Sequence, residues 1–337
     1  MSVRVVRAGL LTTVQDLGRY GRQHLGIVPC GAMDQVAHRV ANALVGNPGT
    51  APTLECTVLG PELLFARDSL VAMYGAAFEA KIAGEPFPAS RPILVSAGST
   101  LSTGAAGRGA RAYLAIAGGF CVPEVLGSFS TYVPAGFGGF AGRALKPGDV
   151  LAVAGHGQGS PEDRFRRASR KGSVPMSRMR TVRWAAPELT VPFGDAFAVR
   201  ALEGRHFGHF DAESREAFFG ETWRVAPDSN RMGYRLAGPR LTRTKSVEIL
   251  SEPTCLGTVQ VPNDGTPIAL MADHQTTGGY PKIAEIAGVD IPGLAQLAPG
   301  GRVRFIKCTL EEADAARRAA QARLRSVLQA IEWKHGS

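Results

Sequence analysis

Glycine and proline interrupt this chain so often that most of it is confined to short strands joined by turns. Of 337 residues, 41 are Gly and 22 are Pro, whereas Trp, Tyr and Phe number only 3, 6 and 15. Such punctuation favours a β-dominated architecture over a helical bundle. Apolar, β-branched runs lie between the breaks at 69–74, 91–96, 111–117 and 150–153, and again at 181–184, 197–201, 247–250, 257–261, 268–271 and 302–306. Strands this short and this closely spaced predict sandwiches or barrels, a mainly β fold with minor α.

Two segments escape the pattern. Residues 34–45 place Val36, Ala37, Val40, Ala41, Leu44 and Val45 on one helical face and stop at Gly46-Asn47-Pro48. Thr309 and Glu312 form a capping-box signature that opens an Ala/Arg-rich helix running to about Trp333. Between the two groups of strands, residues 156–179 are rich in Gly, Ser, Pro and Arg without apolar periodicity. They are expected to form a linker. The expected organisation is therefore a lobe at 1–155, a basic linker at 156–179, a second lobe at 180–308 and a terminal helix at 309–337. Similar signals recur in the same order in the two lobes. Gly60-Pro-Glu-Leu-Leu, Ala117-Gly-Gly-Phe and Leu145-Lys-Pro-Gly-Asp are echoed by Gly238-Pro-Arg-Leu-Thr, Thr277-Gly-Gly-Tyr and Leu297-Ala-Pro-Gly-Gly, which suggests a duplicated β-lobe.

The formal charge of +9 raises the question of nucleic acid. The cationic run from Arg164 to Arg183 has no interleaved aromatic platform and belongs to no nucleic-acid-binding motif, so a solvated face is expected instead. No apolar stretch approaches the roughly 20 residues that span a bilayer, and no secretory leader is evident. The five cysteines are scattered and never spaced as C-x-x-C, which points to reduced thiols, a cytoplasmic location and no metal site. There is no P-loop, no G-x-S-x-G elbow and no H-E-x-x-H. The Met-Lys-Met signature of biotin attachment is also missing, so no covalent biotin is expected on this chain.

Chemistry concentrates at 271–281, Met-Ala-Asp-His-Gln-Thr-Thr-Gly-Gly-Tyr-Pro. Five polar side chains follow an apolar strand, and a glycine pair then frees the backbone for close approach to a ligand. His274 or Asp273 could move a proton while backbone N–H groups face an oxyanion; a plain polar hairpin is the structural alternative. Asp228-Ser-Asn-Arg-Met-Gly-Tyr-Arg235 supplies Arg231 and Arg235 at an even spacing, on one face if extended. There they could clamp a carboxylate, or serve only as surface ion pairs. Glu252, Gln260 and Pro262 bracket a strand near the same mouth. Upstream, Asp16, Arg19 and Asp34 are further candidates, although Asp34 also stands where an N-cap belongs and Asp16 could pair locally with Arg19.

Together these motifs resemble a known family. Val14-Gln-Asp-Leu-Gly-Arg-Tyr-Gly, Gly31-Ala-Met-Asp, Ala41-Asn-Ala-Leu-Val-Gly-Asn, Leu114-Ala-Ile-Ala-Gly-Gly and Leu126-Gly-Ser-Phe-Ser-Thr-Tyr are similar to its first half. Ser229-Asn-Arg-Met-Gly-Tyr-Arg, Gly257-Thr-Val-Gln-Val-Pro and Asp273-His-Gln-Thr-Thr-Gly-Gly-Tyr-Pro are similar to its second. This is the biotin-dependent carboxyltransferase group, also labelled allophanate hydrolase subunit 2 or KipA-type. It includes the C subunit of 5-oxoprolinase and the second half of the urea carboxylase carboxyltransferase domain. The resemblance covers roughly residues 5–308.

The resemblance implies a cyclophilin-like β-barrel in each lobe. It also implies partnership with a KipI-type B subunit and, in oxoprolinases, a LamB/YcsF-type A subunit. The implied reaction is ATP-driven opening of 5-oxoproline to glutamate, and the implied ATP site can lie on a partner subunit. On this resemblance Asp273, His274 and Gln275 are expected as catalytic residues. Arg231, Tyr234, Arg235 and Gln260 are expected to bind a small amide substrate, together with Thr276, Thr277, Gly278, Gly279 and Tyr280. The rival readings are carboxyl transfer to urea or a similar amide and a KipA-type regulatory binding protein.

Overall fold

All the expected strands except the one at 247–250 form, and they sort into two units in a computed structural model that describes residues 2–154, 159–170, 172–191, 194–244 and 249–336. The first unit comprises residues 1–18, 34–191 and 323–337; the second comprises 19–33 and 192–322.

In the first unit twelve strands join one sheet. Its spine is the antiparallel pair Ser69–Ile82 and Thr100–Ile116, which runs from Val71 opposite Ile116 to Ile82 opposite Leu101 with register shifts between Gly75 and Ala80. The half of each strand nearer that first contact is buried on both faces, so Leu70, Val71, Ala72 and Met73 run on without polar alternation. Leu54, Leu63, Phe65, Ile93 and Leu114 fill the core they share. Each such side chain contributes about 1.5–3 kcal/mol by leaving water. The first expected helix is Gln35–Leu44, and Asp34 is its cap: the carboxylate accepts the Ala37 N–H at 2.8 Å.

The expected linker is largely part of this unit. Residues 156–158 and 171 lie outside the described residues, but Pro161–Ala168 is a helix closed by a reciprocal Ser160–Asp163 capping box. Ser173–Pro175 and Met179–Val182 then extend the sheet beside Ile93–Val95. The segment is therefore not a linker, although most of its basic side chains are solvated as expected: Arg166, Arg170, Arg178, Arg180 and Arg183 are exposed. Phe165 and Ala168 supply a small apolar face, and Arg164, 9% exposed, donates to the Val45 and Gly46 carbonyls at 3.1 Å each. Two apolar positions are too few to stand out among so many arginines. The chain passes to the second unit at 191/192, and not across residues 156–179.

The second unit is a closed barrel. In spatial order its strands are Phe197–Glu203, Lys282–Ile286, Thr258–Gln260, Ile268–Leu270, Gly233–Ala237, Thr222–Val225 and Arg302–Lys307. Closure comes from the parallel pairing of the first and last, Phe197 opposite Val303 through Ala201 opposite Lys307. Closing a sheet removes its exposed edges. Trp223, Phe218 and Phe305 dominate the core, the two phenyl rings stacked at 4.5 Å. Residues 247–248 of one expected strand lie outside the described residues. The helix Ala212–Gly220, capped by Asp211, has no counterpart among the elements expected from sequence.

The terminal helix is Leu310–His335, opened by the expected capping box: Thr309 Oγ1 accepts the Glu312 N–H and Glu312 accepts the Thr309 N–H. Residues 310–322 belong to the second unit and 323–337 to the first. No described helix is long and apolar enough to cross a membrane. The architecture is mainly β with a C-terminal helix.

Candidate functional site

The barrel positions the densest group of polar side chains. Ile268–Leu270 ends at Met271, and the chain then turns through 272–276 into a two-stranded ribbon in which Thr277–Gly278 pairs with Glu252–Pro253. The turn is held by main chain: His274 N–H donates to the Met271 carbonyl at 3.0 Å and Asp273 N–H to the Arg231 carbonyl at 2.8 Å.

Asp273 is 2% exposed and its carboxylate is already occupied. Arg231 donates to it from Nε and Nη2, both at 2.9 Å, and Nη2 also reaches the Gly31 carbonyl at 2.6 Å. A fork-to-fork pair of this kind is a strong, directional contact. The pair braces the turn, so the carboxylate expected to transfer a proton and the guanidinium expected to contact substrate are bound to each other.

Nor do Arg231 and Arg235 form a clamp. The strand starts only at Gly233, so the expected period-2 relation does not extend back to Arg231. Arg235 pairs with exposed Asp228 at 2.9 Å instead. Tyr234, between them, is 2% exposed and packs in the barrel core, its hydroxyl directed at the Ala295 carbonyl.

His274 is buried, and burial pushes its imidazole pKa down, with the Gln275 carbonyl and Asp273 opposing. Its Nδ1 lies 2.7 Å from the Gln275 carbonyl oxygen, which can only accept. Nδ1 therefore carries the proton and Nε2 the lone pair. Gln275 Nε2 donates to Gln260 Oε1 at 3.1 Å. Gln260 is 1% exposed, and its own Nε2 has no hydrogen-bond partner among the described residues. A Cβ on Gly278 would stand 2.6 Å from that nitrogen, so glycine is what leaves room beside it. Thr276 fixes the ribbon by accepting the Thr254 N–H on its carbonyl, and Thr277, Gly279 and Tyr280 are exposed.

Three residues absent from the expected site complete it. Lys282, 7% exposed, stands directly opposite Gln260 across the strand pair, at a bulge after Val259. Its Nζ lies 3.0 Å from Glu252 Oε1 and donates to the Pro253 carbonyl. Arg205 and His206 approach the same carboxylate at 3.3 and 3.8 Å. The Lys282 ammonium is the main reason that Glu252 titrates below its usual range. His206 titrates low through burial, against the pull of Glu252, and its Nδ1 accepts the Lys282 N–H at 3.2 Å, leaving Nε2 as the protonated nitrogen. Thr254 Oγ1 is 3.4 Å from His274 Nδ1. The segment 252–254 thus runs between two neutral imidazoles, one offering a lone pair on Nε2 and the other an Nε2–H. Lys282 follows the Gly-Gly-Tyr-Pro run directly, a signal that was available; His206 had none.

The candidates upstream divide between the units. Asp16, in the first, is fully engaged by neutral donors: the Gly18 N–H, Ser128 Oγ, the Phe129 N–H and Ser130 Oγ. Asp34, in the same unit, caps a helix, and its N–H donates to Tyr113, which in turn donates to Glu55 at 2.7 Å. Arg19, 1% exposed, belongs to the second unit, where its N–H donates to the Pro29 carbonyl. Asp16 and Asp34 serve the local fold.

Residues 25–307 match the family model described as carboxyltransferase domain, subdomain A and B. The chain is 40% identical to the 5-oxoprolinase C subunit of Escherichia coli K12 over 319 residues, covering 95% of each chain. It is 36% identical to the 5-oxoprolinase C subunit of Haemophilus influenzae, covering 96% of each. Among solved structures, the urea amidolyase of K. lactis superposes with a TM-score of 0.85 at 30% identity, over 97% of this chain but 20% of that one.

Proposed function

The chain belongs to the carboxyltransferase-domain family, subdomains A and B, and on that premise we propose that it is the C subunit of an ATP-hydrolysing 5-oxoprolinase. The observation that carries this reading is reciprocal length. The chain spans nearly all of both 5-oxoprolinase C subunits and only a fifth of the urea amidolyase chain. In this reading it works with KipI-type B and LamB/YcsF-type A subunits on a small cyclic amide. ATP cleavage supplies the driving force, and no residue of this chain is assigned to ATP.

The site suits the chemistry of an unactivated lactam. Water must add to the carbonyl carbon, the C–N bond must break, and the leaving nitrogen must take a proton. Gln260 Nε2, a buried donor without a partner among the described residues, supplies a hydrogen bond for a carbonyl oxygen on which negative charge develops. His274 Nε2 accepts a proton from water. The proton that His274 takes up is the one returned to the leaving nitrogen, while neutral His206 keeps its Nε2–H as a hydrogen-bond donor on the other side of segment 252–254. A carboxylate on the substrate would compete with Glu252 for Lys282 and Arg205. Asp273 and Arg231 hold the turn that carries His274.

The test is glutamate release from 5-oxoproline, with ATP, by the cognate A and B subunits with and without this chain. Release that requires all three chains supports the reading. An assembled complex that ignores 5-oxoproline refutes it and transfers attention to carboxyl transfer onto urea, the reaction class suggested by the carboxyltransferase family description and the likeness to a urea carboxylase.

A further inference from the structure

The first unit contains a cavity of about 570 Å³ beside the C-terminal end of the helix Gln35–Leu44. That volume suits a small organic ligand or a hydrated anion. Four of its lining residues are basic, Arg39, Arg164, Arg167 and His335, against one acid, Glu332.

Some of this basicity answers a local need. A helix C-terminus leaves carbonyls unpaired and attracts cations. Arg164 Nη1 serves the Val45 and Gly46 carbonyls, and His335 Nε2 lies 3.2 Å from the Leu44 carbonyl. The remainder is not accounted for by capping. Arg39 is half-buried and has no hydrogen-bond or ion-pair partner among the described residues. Arg164 is more than nine-tenths buried, yet its Nε has no acceptor. An unpaired guanidinium N–H inside a protein is costly unless something accepts it. Burial and the neighbouring Arg167 both lower the Arg164 pKa, so an anion in the cavity would relieve a charge now held at a penalty. Gly46, at φ +70°, turns the chain there, and a Cβ on it would meet Arg164 Nη1 at 3.6 Å.

We propose that this cavity binds a small oxyanion, a carboxylate or a phosphate group, between Arg39, Arg164 and Arg167. Burial holds His335 neutral at pH 7, so the arginines supply the charge. The proposal does not depend on the 5-oxoprolinase reading, because it concerns other residues and requires no turnover.

Titration calorimetry on the full chain tests it with two probes, inorganic phosphate and L-glutamate, at constant ionic strength set with chloride. Saturable binding of either probe that weakens at least about tenfold in Arg39→Gln and in Arg167→Gln supports the site, and the stronger probe identifies the ligand chemistry. Both variants spare Arg164, whose capping role would confound folding, and their melting temperatures without ligand confirm that they are folded. No saturable binding of either probe overturns the proposal, as does binding that both variants retain.

Discussion

Arg231 holds both carboxylate oxygens of Asp273, each at 2.9 Å, with both side chains nearly excluded from solvent. Removing one partner strands a buried charge. Asp273→Asn and Arg231→Met are each expected to cost about 3–5 kcal/mol, read from urea unfolding of the isolated chain. The double variant should recover part of that loss, because no lone charge remains. Additive single losses would show that the two side chains do not act as a pair.

Gly278→Ala tests the Gln260 donor. Gly278 does not sit at positive φ, so the backbone tolerates alanine, but its Cβ would fall 2.6 Å from Gln260 Nε2. Displacing one buried donor from a developing oxyanion costs roughly a hundredfold or more in turnover. The expected result is that loss in glutamate release by the assembled complex, with the melting temperature of the chain nearly unchanged. Full activity would remove Gln260 from the mechanism.

Lys282→Met should raise the pKa of Glu252, because the ammonium is the main cause of its depression. A carboxyl-selective NMR titration of the chain reads this directly. In the complex, the same variant should weaken 5-oxoproline binding more than it slows the chemical step, as expected for a cation that holds the substrate carboxylate. A change in kcat at constant KM would assign Lys282 a different task.

His38 makes stability depend on pH. It is fully buried between Thr53 Oγ1 and the Gly49 carbonyl, and burial pushes its pKa from 6.5 down to about 4. Below pH 6.5 the unfolded chain binds a proton that the folded chain refuses until about pH 4. Stability present above 6.5 is therefore lost as the pH falls. From pH 7 to pH 5 this single residue should remove about 2 kcal/mol, measured as the difference between the parent chain and His38→Gln in urea unfolding. Identical pH profiles for the two would refute it.

Much of the fold was written locally. Most of the apolar, β-branched runs between the breaks became strands, Asp34 and Thr309 became caps, and the polar run that begins at Asp273 lies in the turn at the end of a barrel strand. Each of these follows from β-branched runs bounded by turn residues or from capping chemistry within a few residues. The short helix Pro161–Ala168 was hidden because its apolar face has few members and its arginines suggested solvent. The candidate site was half legible. Its glycines, His274 and the glutamines were visible as a cluster, while the mutual pairing of Asp273 with Arg231 and the burial of Tyr234 were not.

What the amino-acid sequence determined by itself was the kind of element at each stretch and the place where polar groups concentrate. Partner choice was decided only by tertiary structure. Arg231 meets Asp273 across 42 positions, Gln260 faces Lys282 through a bulged strand register, and Arg164 reaches the end of a helix 119 residues away. Periodicity specifies which side of a strand or helix is apolar, since that preference acts on neighbouring residues. It contains no information about which distant polar group a buried charge will find, because that choice is made by closing the barrel and packing the core.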